Sequence, residues 1–210
     1  AVGAVWSSCS PDFGINGVMD RFGQITPKVL FACDGYFYNG KRSNSLPKLK
    51  EICSRIKSIE RLVLIPVTDQ KIQETGIPNT ILFNDFSENH GAHELRFEQL
   101  PFDHPLYIMY SSGTTGVPKC IVHGAGGSLI QHLKEHQLHT NLKPEDVLFF
   151  FTTCGWMMWN WLVTGLASKA TIVLYDGSPF YPQPESLFDI AAREKISIFG
   201  VSAKYIAALK

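Results

Sequence analysis

Tyr110-Ser111-Ser112-Gly113-Thr114-Thr115-Gly116-Val117-Pro118-Lys119 sits between two apolar runs, Leu106-Tyr107-Ile108-Met109 before it and Cys120-Ile121-Val122 after it. Two strands joined by a loop of hydroxyls and glycines is the pattern from which the fold is read. Gly113 and Gly116 tolerate positive φ and let the backbone approach a ligand. Successive N–H groups in such a turn make an anion-binding concavity, and Ser and Thr hydroxyls add donors. Pro118 stiffens the exit, and Lys119 brings a positive charge. Composition alone also fits a plain Ser/Gly turn between strands. The Walker loop is excluded, because it needs adjacent Gly and Lys followed by Ser or Thr.

On either side of this loop the chain alternates strand-like and helix-like segments. Val29–Cys33 and Arg61–Val67 are continuous apolar runs, which predict strands buried on both faces. Between them, Asn39-Gly40 predicts a turn, and Leu46–Ile59 carries Leu49, Ile52, Ile56 and Ile59 at helical spacing. A short helix with Val18, Phe22 and Ile25 on one face precedes them and ends at Pro27. Ala1–Ser8 reads as a helix end running into a short buried strand. Thr68–His104 is polar and irregular, holds one short apolar patch, Thr80-Ile81-Leu82-Phe83, and is expected at the surface. Beyond the loop, Gly124–His139 reads as a helix with Leu129, Ile130, Leu133 and Leu138 on its apolar face. Val147–Phe151, Ala170–Tyr175 and Ile196–Val201 read as strands. Helices are expected from Met157, over Ser186–Glu194, and after Ser202 as N-cap. The expected class is α/β, with mostly parallel sheets and helices on their faces. One boundary is placed near His104–Pro105, giving subdomains 1–104 and 105–210.

The 210 residues are 45% hydrophobic, and 19 basic residues balance 19 acidic ones. A zero net charge gives no long-range pull toward nucleic acid. The charge-free run Val147–Ser168 is long enough to span a bilayer, but its polar residues and flanks favour a buried strand, turn and helix. Five scattered cysteines without a C-x-x-C pair argue against a disulfide framework and for a reducing, cytosolic compartment. The chain has neither an initial Met nor a signal peptide, and it reads as a piece of a longer protein. His132-Leu133-Lys134-Glu135-His136 matches H-x-x-E-H literally. With no third ligand assignable, it reads as a solvated helix face, and no metal site is assigned.

The ordered Ser-Gly-Thr-Thr-Gly-x-Pro-Lys word closely resembles the phosphate-binding signature of the adenylate-forming enzymes, the acyl-CoA synthetase and luciferase superfamily. The segment Gly155-Trp156-Met157-Met158-Trp159-Asn160-Trp161 resembles the part of short-chain members that lines the acyl pocket. Its methionines resemble the branch that activates acetoacetate. Val5–Ser8, Ser10–Gly14, Gln131–His136 and Leu174–Pro179 agree with that branch. The resemblance implies an acid–thiol ligase that joins acetoacetate to coenzyme A through an acyl-adenylate, using ATP with Mg²⁺. By it, Ser111, Ser112, Gly113, Thr114, Thr115, Gly116 and Lys119 hold the ATP phosphates, Lys119 serves catalysis, and Trp156, Met157 and Met158 bound the acyl pocket. The superfamily's later motifs do not occur before Lys210, so this stretch by itself is expected to turn over negligibly. Another short-chain acyl-CoA ligase, and a non-catalytic nucleotide-binding or interaction fragment, remain alternatives.

Overall fold

Asn39 and Gly40 take φ of 50° and 73°, the left-handed pair that a tight hairpin turn demands. They join β2 (Gly35–Tyr38) to β3 (Lys41–Asn44) in an antiparallel pair. This hairpin and α2 (Leu46–Arg55) fill the crossover between two parallel strands, β1 (Val29–Cys33) and β4 (Arg61–Ile65). The computed structural model describes residues 2–68, 72, 75–88, 94–111 and 116–210. It divides into two compact units: residues 1–2, 9–98 and 110–121 form one, and residues 3–8, 99–109 and 122–210 the other. The chain thus passes between units more than once, where the sequence reading drew a single boundary.

The first unit is built on the parallel sheet β1–β4–β5, with β5 at Thr80–Leu82. α1 (Ile15–Ile25) and α2 supply Val18, Phe22, Leu49 and Ile52 to its core, which also holds Leu30 and Leu64. Two expectations are corrected here. β1 is not buried on both faces: Leu30 is buried while Val29 and Phe31 are exposed. β1 is an edge strand, and only the central β4, with Leu62, Val63 and Leu64 all enclosed, fits the continuous-run pattern. The polar stretch after Thr68 also supplies the third strand, β5, and a short helix, α3 (Phe83–Glu88), whose Phe86 meets Phe31 edge-on.

The second unit centres on β8 (Val147–Phe150), flanked in parallel by β9 (Thr171–Val173) and β10 (Ile198–Gly200). Successive strand residues face opposite sides of a sheet. Leu148 accordingly packs with Leu142, Leu162 and Ala170, and Phe149 packs with Leu187 and Tyr205. Leu162 lies on α5 (Met157–Thr164) and Leu187 on α6 (Ser186–Arg193). Ser202 caps α7 (Ala203–Ala208), its hydroxyl accepting from the Tyr205 N–H at 3.2 Å. The charge-free run is therefore strand, turn and helix, and among the described residues no helix is long and apolar enough to cross a membrane. Residues 2–5 form no helix end; Trp6 makes one parallel bridge to Tyr107 and is half exposed.

A further correction concerns α4 (Ala125–Lys134), which continues as a π-helical turn over Glu135–His139. Leu129, Ile130 and Leu138 point outward, whereas His132 and His136 are buried. The helix enters through glycines of unequal use. A Cβ on Gly126 would lie 2.2 Å from the Phe102 ring, while one on Gly127 would meet nothing within 4 Å. Phe102 packs where a side chain would stand, and its carbonyl accepts the Gly126 N–H at 2.8 Å.

Gly126→Ala is therefore expected to cost about 1–3 kcal/mol in urea unfolding. Gly127→Ala is expected to be neutral or to stabilise by up to ~1 kcal/mol. Equal effects of the two would contradict the packing described.

Candidate functional site

β6 (Pro105–Tyr110) and β7 (Cys120–Gly124) pair as a hairpin, and the loop that opened the sequence reading joins them. Ser112, Gly113, Thr114 and Thr115 lie outside the described residues. The root of the loop is closed by two bonds: the Ser111 N–H donates to the Lys119 carbonyl, and the Lys119 N–H donates to Ser111 Oγ, both at 3.0 Å. Gln24 of α1 donates to the Pro118 carbonyl at 2.8 Å. Arg21, one turn earlier, stacks over Phe13 at 4.6 Å and lies 5.7 Å from the Tyr110 ring centre. Its guanidinium donates to the Gly17 carbonyl, which fixes the cation in place. Gly116 holds φ of 108° with open space beside it. Lys119 is exposed, and among the described residues no ion pair engages its ammonium. Ser111 and Lys119 thus stand together at the loop root, joined by two hydrogen bonds and carrying an available positive charge.

The second unit contains a cavity of about 690 Å³. One wall is α5, through Met157, Met158 and Trp161; the other is the face of α4 bearing Gly127, Ser128, Gln131 and His132, continued by Glu135 of the π-helical turn. Tyr107 of β6 and His123 of β7 close an end, their rings 5.0 Å apart. Of the three residues assigned to an acyl pocket, Met157 and Met158 line this cavity. Trp156 is not among the lining residues and is 62% exposed. Tyr107 and Gln131 carry no pocket assignment from sequence, whereas Trp161 belongs to the Gly155–Trp161 segment placed there by resemblance. The spacing of residues 124, 127, 128, 131 and 135 traces one helical face, and that was the available signal.

Two histidines join the walls. His136 is fully enclosed, lies tilted against the Trp161 ring with centroids 4.3 Å apart, and donates from Nε2 to the Trp161 carbonyl at 2.8 Å. His132 Nδ1 meets Thr164 Oγ1 at 3.0 Å, and that hydroxyl already donates to the Asn160 carbonyl. The hydroxyl proton is spent, so His132 Nδ1 is the donor. His136 Nδ1 has no partner among the described residues, so it carries the lone pair. Burial pushes both imidazoles below their ordinary value of 6.5, with His136 and His123 adding to the effect on His132. The solvated face expected from H-x-x-E-H is thus a buried contact between helices. Among the described residues no group of three His, Cys, Asp or Glu side chains is placed to hold a metal ion.

The profile of AMP-binding enzymes matches residues 1–209, and the chain belongs to that family. The chain is 53% identical over 215 aligned positions to acetoacetyl-CoA synthetase of Gallus gallus, covering 100% of this chain and 32% of that protein. It is 43% identical to malonamoyl-CoA synthetase vrtB of Penicillium aethiopicum, covering 100% of this chain and 31% of that one. The solved acetoacetyl-CoA synthetase from Streptomyces lividans superposes with a TM-score of 0.91 at 44% identity, over 98% of this chain and 31% of that structure. The chain spans about a third of the length of the curated relatives it matches.

The neutral histidines set a pH dependence. The unfolded chain binds protons at the ordinary imidazole pKa while the folded chain resists them. Their contribution is therefore complete above pH about 6.5 and is lost as pH falls below it. The urea midpoint is expected to drop between pH 7 and pH 5, and His136→Leu should shrink that drop. An unaltered pH dependence in the variant would contradict the assignment.

Proposed function

We propose that this chain is the central part of an acid–thiol ligase that converts acetoacetate, ATP and coenzyme A to acetoacetyl-CoA, AMP and diphosphate. The observation that carries the reading is the 53% identity to an acetoacetyl-CoA synthetase along the whole chain. The two units divide the work. The loop rooted at Ser111 and Lys119 takes the nucleotide phosphates, with Ser112, Gly113, Thr114, Thr115 and Gly116 supplying hydroxyls and close-approaching backbone. The cavity bounded by Met157 and Met158 takes the acyl chain, and Trp156 stands at the start of α5 beside them in sequence.

A carboxylate is a poor electrophile, so it is first activated. One of its oxygens attacks the α-phosphorus of ATP, the bond to the β-phosphate oxygen breaks, and diphosphate leaves. The sulfur of coenzyme A then attacks the acyl carbon, losing its proton, and AMP leaves. The first step brings one anion to another, so its catalysis is positioning and charge neutralisation. Lys119 supplies a cation on a short, hydrogen-bonded root. Magnesium in this reading would arrive with the nucleotide as part of the substrate and would add to the charge neutralisation that Lys119 supplies. The five scattered cysteines, without a C-x-x-C pair, suit a cytosolic setting.

A second reading, another short-chain acid of the same kind, is favoured by the malonamoyl-CoA synthetase relative. Acetoacetyl and malonamoyl groups share one feature: a neutral carbonyl at C3, bearing a methyl in the first and an amide nitrogen in the second.

Lys119→Ala in the full-length enzyme is expected to slow single-turnover formation of the acyl-adenylate on the order of a hundredfold. An unchanged single-turnover rate would remove the loop from the reaction.

A further inference from the structure

The cavity has two chemically opposed walls. Met157, Met158 and Trp161 fall at i, i+1 and i+4 of α5 and present sulfur, hydrocarbon and an indole. Ser128 and Gln131 of α4 and Glu135, the first residue of its π-helical continuation, fall at i, i+3 and i+7 and present a hydroxyl, an amide and a carboxylate. A purely hydrocarbon acyl chain satisfies the first wall and leaves the donors of the second without partners. The cost of desolvating unpaired polar groups is what makes such a site selective.

The polar wall is also oriented. Gln131 Nε2 donates to Glu135 Oε1 at 2.9 Å, and the same carboxylate oxygen pairs with Lys134 at 3.2 Å. The hydrogen bond from Lys134 holds the Glu135 carboxyl below the ordinary carboxylate range, so it is ionised and only accepts. The amide nitrogen must therefore face Glu135. One N–H is spent there, and the other remains for a second acceptor. Ser128 lies one turn back along the same face. A ketone or amide oxygen has two lone pairs, and an amide N–H with a hydroxyl can supply a donor to each. Glu135 also places negative charge in this wall, which disfavours a second carboxylate at the same position. His132 is unsuited to donate there, since its Nδ1 proton already goes to Thr164.

Building on the ligase reading, we propose that Gln131 and Ser128 bind the neutral carbonyl oxygen at C3 of the acyl substrate, with Glu135 positioning the Gln131 amide. Met157 and Met158 bed the group beyond that carbon. The wall therefore selects 3-oxo and 3-amide acids over a saturated acid of the same length, and over malonate with its second charge.

The test is kcat/KM of the full-length enzyme for acetoacetate, butyrate and malonate, each measured by acid-dependent diphosphate release. The unsubstituted enzyme should prefer acetoacetate to butyrate by about a hundredfold or more and should be poorest on malonate. Gln131→Met keeps the length and helix propensity of the side chain and removes both amide hydrogens; the acetoacetate-to-butyrate ratio should fall at least about tenfold. Glu135→Gln, which frees the amide to turn, should raise KM for acetoacetate more than for butyrate. A ratio unchanged by Gln131→Met, or equal loss on both acids by a folded variant, overturns the proposal. If Gln131→Met does not melt cooperatively, Ser128→Ala decides by the same ratio. An unsubstituted enzyme that uses acetoacetate and butyrate equally overturns this inference alone. One that activates none of the three acids overturns the ligase reading and this inference with it.

Discussion

The hydrogen bond from His136 Nε2 to the Trp161 carbonyl, inside the contact between α4 and α5, fixes much of what surrounds the cavity. A buried imidazole is costly unless its N–H is satisfied. Here the N–H is used, the second nitrogen carries a lone pair, and the ring lies tilted against Trp161. His132 repeats the arrangement one turn earlier through Thr164. Two polar bonds a turn apart define how far one helix can slide along the other. A shift of one turn would bury two unpaired imidazoles. Apolar side chains alone tolerate such slips far better.

That registration decides which side chains line the cavity. With His132 and His136 committed to α5, the next stripe of α4, from Gly127 and Ser128 to Gln131 and Glu135, is turned to the open space. On α5 the stripe opposite is Met157, Met158 and Trp161. The polar and apolar walls thus follow from two histidines that need take no part in chemistry. The loop root in the other unit has its own economy. Ser111 and Lys119 exchange bonds at its neck, and α1 contributes Gln24 to Pro118 and Arg21 beside Tyr110.

Local chemistry was legible in the sequence and tertiary choice was not. Asn39-Gly40 turned where their conformational freedom required, Ser202 capped its helix, and the spacing of Leu49, Ile52 and Ile56 marked a buried face. α4 was read inside out because histidine counts as polar in any periodicity. Only the carbonyl of Trp161 and the hydroxyl of Thr164 make burial of His136 and His132 favourable, and both lie in a different helix. β5 falls on the short apolar patch at Thr80–Phe83, whose three strand residues derive their strand character from pairing with β4 rather than from any pattern of their own. Met157 and Met158 enter through the resemblance of the Gly155–Trp161 segment, whereas nothing in the local pattern around Gln131 marks it apart from other helical amides. Trp156 enters by the same resemblance; it precedes the helix and is exposed.

The central claim is that a 3-oxo carboxylate attacks the α-phosphorus of ATP in a protein built around this loop and cavity. Isotope transfer tests it most directly. The full-length enzyme is given acetoacetate labelled with ¹⁸O in both carboxylate oxygens, together with ATP and coenzyme A, and the AMP is analysed by mass spectrometry. The account predicts AMP carrying one ¹⁸O, left behind when the thiol displaces the adenylate. AMP without label, or label recovered in inorganic phosphate, would contradict it.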